Sequence, residues 1–350
     1  MKTLVTGSSG LIGSAAVRFF SARGHEVHGL DNNTRMDLFG AGGDTRPVLA
    51  VLRAACPRFV HHELDIRDRA GVPALFERER FSRVIHCAAQ PSHDLAASRP
   101  LDDFDINAGG TINLLEAARR FCPESPFVHV STNKVYGDGP NGLDLVEGAL
   151  RYDFSDERYA EGIGEDFPID QNLHSLFGAS KASGDLIAQE YGRYFSMPVG
   201  VFRGGCLTGP DHAGVKLHGF LSYLVRTALA GETYTIIGYG GKQVRDQIHC
   251  DDVIEAFDRW CGDPRPGEVF NIGGGRANSA SVLECVRLVE EVAGVKMDLA
   301  FDGHARRGDH ICYYSDLSRL RGRLAGWDVT RGLVSIVEEM VDAGRQARAA

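Results

Sequence analysis

The run Gly7-Ser8-Ser9-Gly10-Leu11-Ile12-Gly13 stands between a strand-like segment at 2–6 and an apolar stretch of helical spacing. That joint limits the chain to few folds. Glycines three apart at a strand-to-helix turn let the backbone bend tightly and leave N–H groups bare at the start of a helix, where a pyrophosphate can dock. A helix entered this way carries the chain to a second, parallel strand, and parallel sheets are covered by helices on both faces. The rest of the first half agrees. Short apolar runs at 2–6, 25–30, 58–62, 83–87, 126–131 and 198–203 alternate with helical spacing over 11–23, 69–79, 108–121 and 178–195. This is the α/β pattern of a doubly wound parallel Rossmann sheet.

About twenty residues beyond the glycines, Asp31 in Asp31-Asn32-Asn33 closes the second strand, where a carboxylate accepts both hydroxyls of an adenosine ribose. It repels a 2′-phosphate. The loop (Gly7, Gly10, Leu11, Ile12, Gly13) and Asp31, Asn32 and Asn33 therefore predict NAD in preference to NADP, with Arg35 leaving dual use open. Asp65-Ile66-Arg67 follows the third strand and Ala88-Ala89-Gln90 the fourth. These are carboxyl ends of strands, where an adenine edge and the middle of a dinucleotide pass.

A chain of 350 residues has room for a large α/β domain and a smaller partner. The expected division is a cofactor domain over 1–203, with a long loop or insertion at 137–170, and a smaller lobe over 204–350 with some segments returning to the sheet. A net charge of −9 with scattered basic residues argues against a nucleic-acid surface. No apolar run reaches membrane-spanning length, which predicts a soluble cytoplasmic protein. The eight cysteines form no Cys-x-x-Cys pair and no zinc-type spacing, so no metal is expected.

Leu176-Phe177-Gly178-Ala179-Ser180-Lys181 resembles the Tyr-x-x-x-Lys signature of the short-chain dehydrogenase/reductase superfamily, with phenylalanine in place of tyrosine. The Asp-Ile-Arg and Ala-Ala-Gln runs and Asn107 are similar to elements of its extended branch. In that family a Ser or Thr after the fifth strand, here Thr132, hydrogen-bonds the reacting oxygen, and the lysine, here Lys181, binds the nicotinamide ribose. The resemblance thus implies a catalytic set of Thr132, Phe177 and Lys181. Phenylalanine cannot carry the proton that a tyrosine hydroxyl carries.

Two readings of that exchange are open. The chain is an inactive form, such as a Tyr-to-Phe variant engineered to trap substrate, or a natural Phe with another acid/base, for which His93 and His174 are the candidates.

Asn133-Lys134 follows Thr132 where dehydratases of nucleotide sugars carry an acidic pair. Ser131-Thr132-Asn133-Lys134-Val135-Tyr136-Gly137, with the runs around His174 and at 241–246, is most similar to the CDP-paratose 2-epimerases, also called CDP-tyvelose epimerases. That resemblance implies an NAD-dependent isomerase that inverts C2 of a nucleotide-diphosphate sugar through a keto sugar, as a homodimer joined through the helices around 110–121 and 178–195. It implies a diphosphate held by Arg245 and Arg306, the latter three residues before Asp309, with Asn133 and Lys134 on the sugar or in a solvated turn. A C4 epimerase, an oxidoreductase and a non-catalytic binder remain as alternatives.

Overall fold

The computed structural model describes residues 1–210, 219–305 and 308–349. The chain divides into two compact units. The first comprises Met1–Val135, Leu176–Arg203 and Val253–Phe270; the second comprises Tyr136–Ser175, Gly204–Asp252 and Asn271–Ala350.

In the first unit, strands β1 (Lys2–Thr6), β2 (Glu26–Leu30), β3 (Phe59–His62), β4 (Arg83–His86) and β5 (Phe127–Thr132) join strands Val199–Gly204 and Glu268–Ile272 in one seven-stranded sheet. Its order is Glu268–Ile272, Val199–Gly204, β5, β4, β1, β2, β3. β1 pairs in parallel with both β2 and β4, placing Leu4 opposite His28 on one side and Val84 on the other. Chain order reverses between β1 and β4, so the loops leaving their carboxyl ends diverge and open a crevice for a ligand. β4 is buried at every residue because helices cover both faces. Leu4, Phe76, Val84, Leu114, Leu115, Phe127 and Val201 form its core. The Rossmann reading of the sequence holds.

One boundary between the units falls at residue 203, and a later segment returns to the first. Val253–Phe270 belongs to the first because Phe257 and Trp260 bury against Phe202, with ring centroids 4.8 and 6.0 Å apart. Gly200 makes the space: a Cβ there would lie 2.6 Å from the Trp260 ring. The stretch 137–170 is also more ordered than a loop. It carries an antiparallel hairpin, Leu145–Glu147 with Tyr152–Phe154, and short 3-10 turns. Asn271 anchors it, accepting from the Tyr136 hydroxyl and donating to the Ile163 carbonyl, both at 2.7 Å.

In the second unit, helices Phe220–Ala230, Val282–Ala293 and Leu333–Ala349 pack through Leu224, Val286, Ile336, Val337 and Val341. A reciprocal cap between Ser281 and Glu284 starts the middle helix. Strand Val244–His249 lies between Cys206–Thr208 and Ser279–Ser281 and carries Arg245. Among the described residues no helix is long and apolar enough to cross a membrane. All eight cysteines are free, and only Cys87 and Cys206 are less than fully buried.

Candidate active site

Helix α1 (Leu11–Ala22) begins at Gly10, which has no side chain to cap it, so its first-turn amides have no intrahelical acceptor. The backbone around them is crowded. Gly7 sits at φ +64° with room for a Cβ only 2.9 Å from Ala88, and a Cβ on Gly13 would fall 2.0 Å from the Gly7 carbonyl oxygen. Only glycine fits at either place. The Ser9 amide donates to Asp31 Oδ2 at 3.0 Å and the Asn33 amide to Oδ1 at 2.9 Å, which holds the carboxylate at the lip of the loop. The Ser8 and Ser9 hydroxyls are buried with no hydrogen-bond partner. A glycine cradle, open helix amides and a fixed carboxylate fit an NAD pyrophosphate and its adenosine ribose.

Asn32 donates to Asp65 Oδ2 at 3.0 Å. Asn33, in the left-handed region at φ +55°, bonds Asp44 and Thr45. The Asp65 carboxylate is gripped by Arg67 at 2.7–3.0 Å; burial pushes its pKa up, but the guanidinium prevails and holds it low. Ile66 is buried against Gly110, where a Cβ would lie 2.4 Å from it. Ala88 and Ala89 line the start of the loop after β4, and Gln90 is buried at its end.

Thr132 closes β5, and its Oγ1 accepts from the Lys134 amide at 3.3 Å in a 3-10 turn, Asn133–Tyr136. Asn133 and Lys134 are both buried in that turn. Phe177 and Lys181 lie one helical turn apart on the helix Ser175–Phe195, and both are buried. Lys181 Nζ donates to the Val130 carbonyl at 2.8 Å, tying this helix to the strand of Thr132. Burial lowers its ammonium to about 8, against the opposing charges of Asp185 and Asp103. The structure thus brings Thr132, Phe177 and Lys181 into one unit with the glycine loop.

Two buried carboxylates that support this group were missed in the sequence. Asp185, one turn beyond Lys181, accepts from Ser131 at 2.6 Å, from Gln189 at 2.6 Å and from both sides of the Arg203 fork at 3.0 Å. It locks the residue beside Thr132 to the helix of Lys181. Asp103 accepts from Gln90 at 2.7 Å and from Asn107 at 3.0 Å, and Asn107 reaches Ser180 at 3.0 Å. Burial raises the Asp103 pKa. Asn107 lies in a π-helical turn, Asp105–Gly109, a widening common at functional sites. The spacing of Asp185 four residues after Lys181 was the available signal.

In the second unit, Arg245 is buried and donates to Asp309 Oδ1 at 2.6 Å and to the Val244 and His310 carbonyls. Burial opposes its charge, but Asp309 outweighs it and the pKa is raised. Three of its five N–H donors are therefore engaged within the protein. Arg306 lies outside the described residues.

A model of the NAD dependent epimerase/dehydratase family matches residues 3–273. CDP-paratose 2-epimerase of Salmonella typhi is 29% identical over 353 residues, covering 98% of each chain. The dTDP-glucose 4,6-dehydratase of Neisseria meningitidis serogroup B is 30% identical, covering 93% of this chain and 88% of its own. Among solved structures, UDP-glucose 4-epimerase of Thermus thermophilus in complex with NAD superposes with a TM-score of 0.78 at 27% identity, over 99% of this chain and 100% of that one. A Tyr-to-Phe mutant of Bacillus cereus UDP-glucuronic acid 4-epimerase, bound to a fluorinated UDP-sugar and NAD, superposes at 0.81 with 25% identity and the same coverage. NAD is the cofactor the glycine cradle and Asp31 are built to hold, and the chain belongs to the NAD-dependent nucleotide-sugar epimerase/dehydratase family.

Proposed function

We propose that this protein is an NAD-dependent epimerase of a nucleotide-diphosphate sugar, inverting C2 through a transient keto sugar. The observation that carries the reading is the turn after Thr132, where Asn133 and Lys134 are buried and neither supplies a carboxylate. Eliminating water needs a positioned acid and base beside the reacting carbons. An amide and an ammonium support oxidation and re-reduction at one carbon instead. The likeness to CDP-paratose 2-epimerase along nearly the whole chain supports the same outcome.

When bound, NAD supplies a hydride acceptor that gives the hydride back within one turnover. Thr132 Oγ1 donates to the reacting oxygen. Lys181 donates to the nicotinamide ribose and keeps the local potential positive, while Asp31 accepts from the adenosine ribose. Asn133 and Lys134 recognise the sugar. Arg245, Arg306 and Asp309 organise the diphosphate, for which arginine forks are suited. The protein acts as a homodimer, supported by the exposed apolar side chains Ile112, Leu186 and Phe195 on helices Gly110–Phe121 and Ser175–Phe195.

The test uses CDP-paratose carrying deuterium at C2 and the NAD-loaded protein. CDP-tyvelose should form with deuterium retained at C2 and no net NADH; inversion at C4 with the C2 centre unchanged instead refutes the reading. Phe177 favours a second reading, a binding protein without turnover or an inactivated variant. Calorimetry would then register CDP-paratose binding while single-turnover absorbance showed no NADH.

A further inference from the structure

We propose that His93 carries the proton that the Phe177 ring cannot. The inference rests on the epimerase reading and supplies its missing acid/base. His93 opens the helix His93–Ser98, and its imidazole lies 4.9 Å from the Phe177 ring, centroid to centroid, at 51°. Phe177 shares a helix face with Lys181. A group packed on the phenyl ring therefore sits in the neighbourhood that a tyrosine hydroxyl would serve.

Two imidazoles near Lys181 are poorly suited to the task. His86 and His129 are each 1% exposed, and burial together with the Lys181 charge keeps both far below the usual imidazole range. His174, an equal candidate in the sequence, has its Nδ1 against the Asn172 carbonyl at 2.9 Å. His93 is half-buried, so its ring packs on Phe177 and still meets solvent.

Its backbone is also fixed. Ser92 caps the helix through the Leu95 amide, the Ser92 amide donates to Gln90 Oε1, and Gln90 is bracketed by Asn107 and Asp103. This anchoring gives the buried Asp103 a purpose, as the residue that positions the loop leading to His93. Pre-organisation of a proton carrier is what general acid–base catalysis requires.

The chemistry balances. As the C–H bond of the sugar carbinol breaks and its hydride leaves to the nicotinamide, the neutral imidazole takes the O–H proton. In the return half, hydride arrives at the opposite face of the carbonyl carbon and the imidazolium gives its proton to the oxygen. One hydride and one proton leave and come back, so no external oxidant is consumed.

The experiment compares the parent, His93→Gln, and His93→Gln combined with Phe177→Tyr, each loaded with NAD and given CDP-paratose. His93→Gln should slow epimerisation by about a hundredfold or more, and Phe177→Tyr should restore it. In parallel, NMR of ring-labelled histidine should show the His93 resonances shifting when CDP-paratose is added. Equal losses with and without the tyrosine, a loss smaller than about threefold, or unmoved His93 resonances overturn the inference and leave the epimerase reading standing. A parent that binds CDP-paratose without forming an epimer overturns both.

Discussion

Replacing Lys181 with methionine should stabilise the cofactor-free protein at neutral pH. Lys181 is 5% exposed, and burial takes its ammonium from 10.5 to about 8 despite the opposing charges of Asp185 and Asp103. A displacement of that size corresponds to about 3 kcal/mol against folding whenever the folded lysine is charged. The unfolded chain keeps the proton up to 10.5, whereas the folded chain releases it near 8. Between those values the unfolded state binds more protons, so stability rises with pH there; below the folded value the whole penalty is present. Methionine keeps most of the apolar stem and also loses the bond to the Val130 carbonyl, worth about 1 kcal/mol. The variant should therefore be about 2 kcal/mol more stable than the parent at pH 7, an advantage that falls by about 3 kcal/mol by pH 10.5. Urea unfolding of both cofactor-stripped proteins across this range measures the difference, and other alkaline titrations cancel in the comparison. A difference that does not change with pH, or a variant clearly less stable at pH 7, would refute the argument.

Two more substitutions test the frame around the site. Arg203→Leu strands the fully buried Asp185 carboxylate without its cation and should lower stability by about 3–5 kcal/mol, read as a drop in the urea midpoint; a change below about 1 kcal/mol contradicts the buried pair. Gly13→Ala drives a methyl into the Gly7 carbonyl oxygen and should weaken NAD binding by about a hundredfold in calorimetry, the loss of roughly two charge-assisted hydrogen bonds. Gly322→Ala, whose methyl meets nothing within 4 Å, serves as the control and should bind NAD normally.

The cofactor half of the site was legible because its signals are local. Gly7, Gly10 and Gly13 fall within one turn, Asp31 ends the next strand, and periodicity alone places both on a parallel sheet. The division into units was less legible, because the assignment of Val253–Phe270 depends on Phe257 and Trp260 finding Phe202 more than fifty residues earlier in the chain. The insertion read as a loop because its strands are three residues each and are held from outside it, by Lys242 on Glu147 and Tyr314 on Asp153. Strands that short carry almost no periodic signal. Asn32 and Asn33, grouped with Asp31 by adjacency, bond Asp65 and the Asp44–Thr45 turn, since successive residues beyond a strand end point in different directions.

Hydrophobic spacing, the glycine turn and Asp31 were enough to determine the sheet and the cofactor. These depend on neighbours in sequence, where backbone geometry translates spacing directly into position. Tertiary structure alone decided which imidazole lies against Phe177 and that Asp185 holds β5 to the helix of Lys181. It also decided that Arg245 is committed in part to Asp309. Each of these pairings joins residues 54 to 84 positions apart, and such contacts exist only once the unit that holds them has folded.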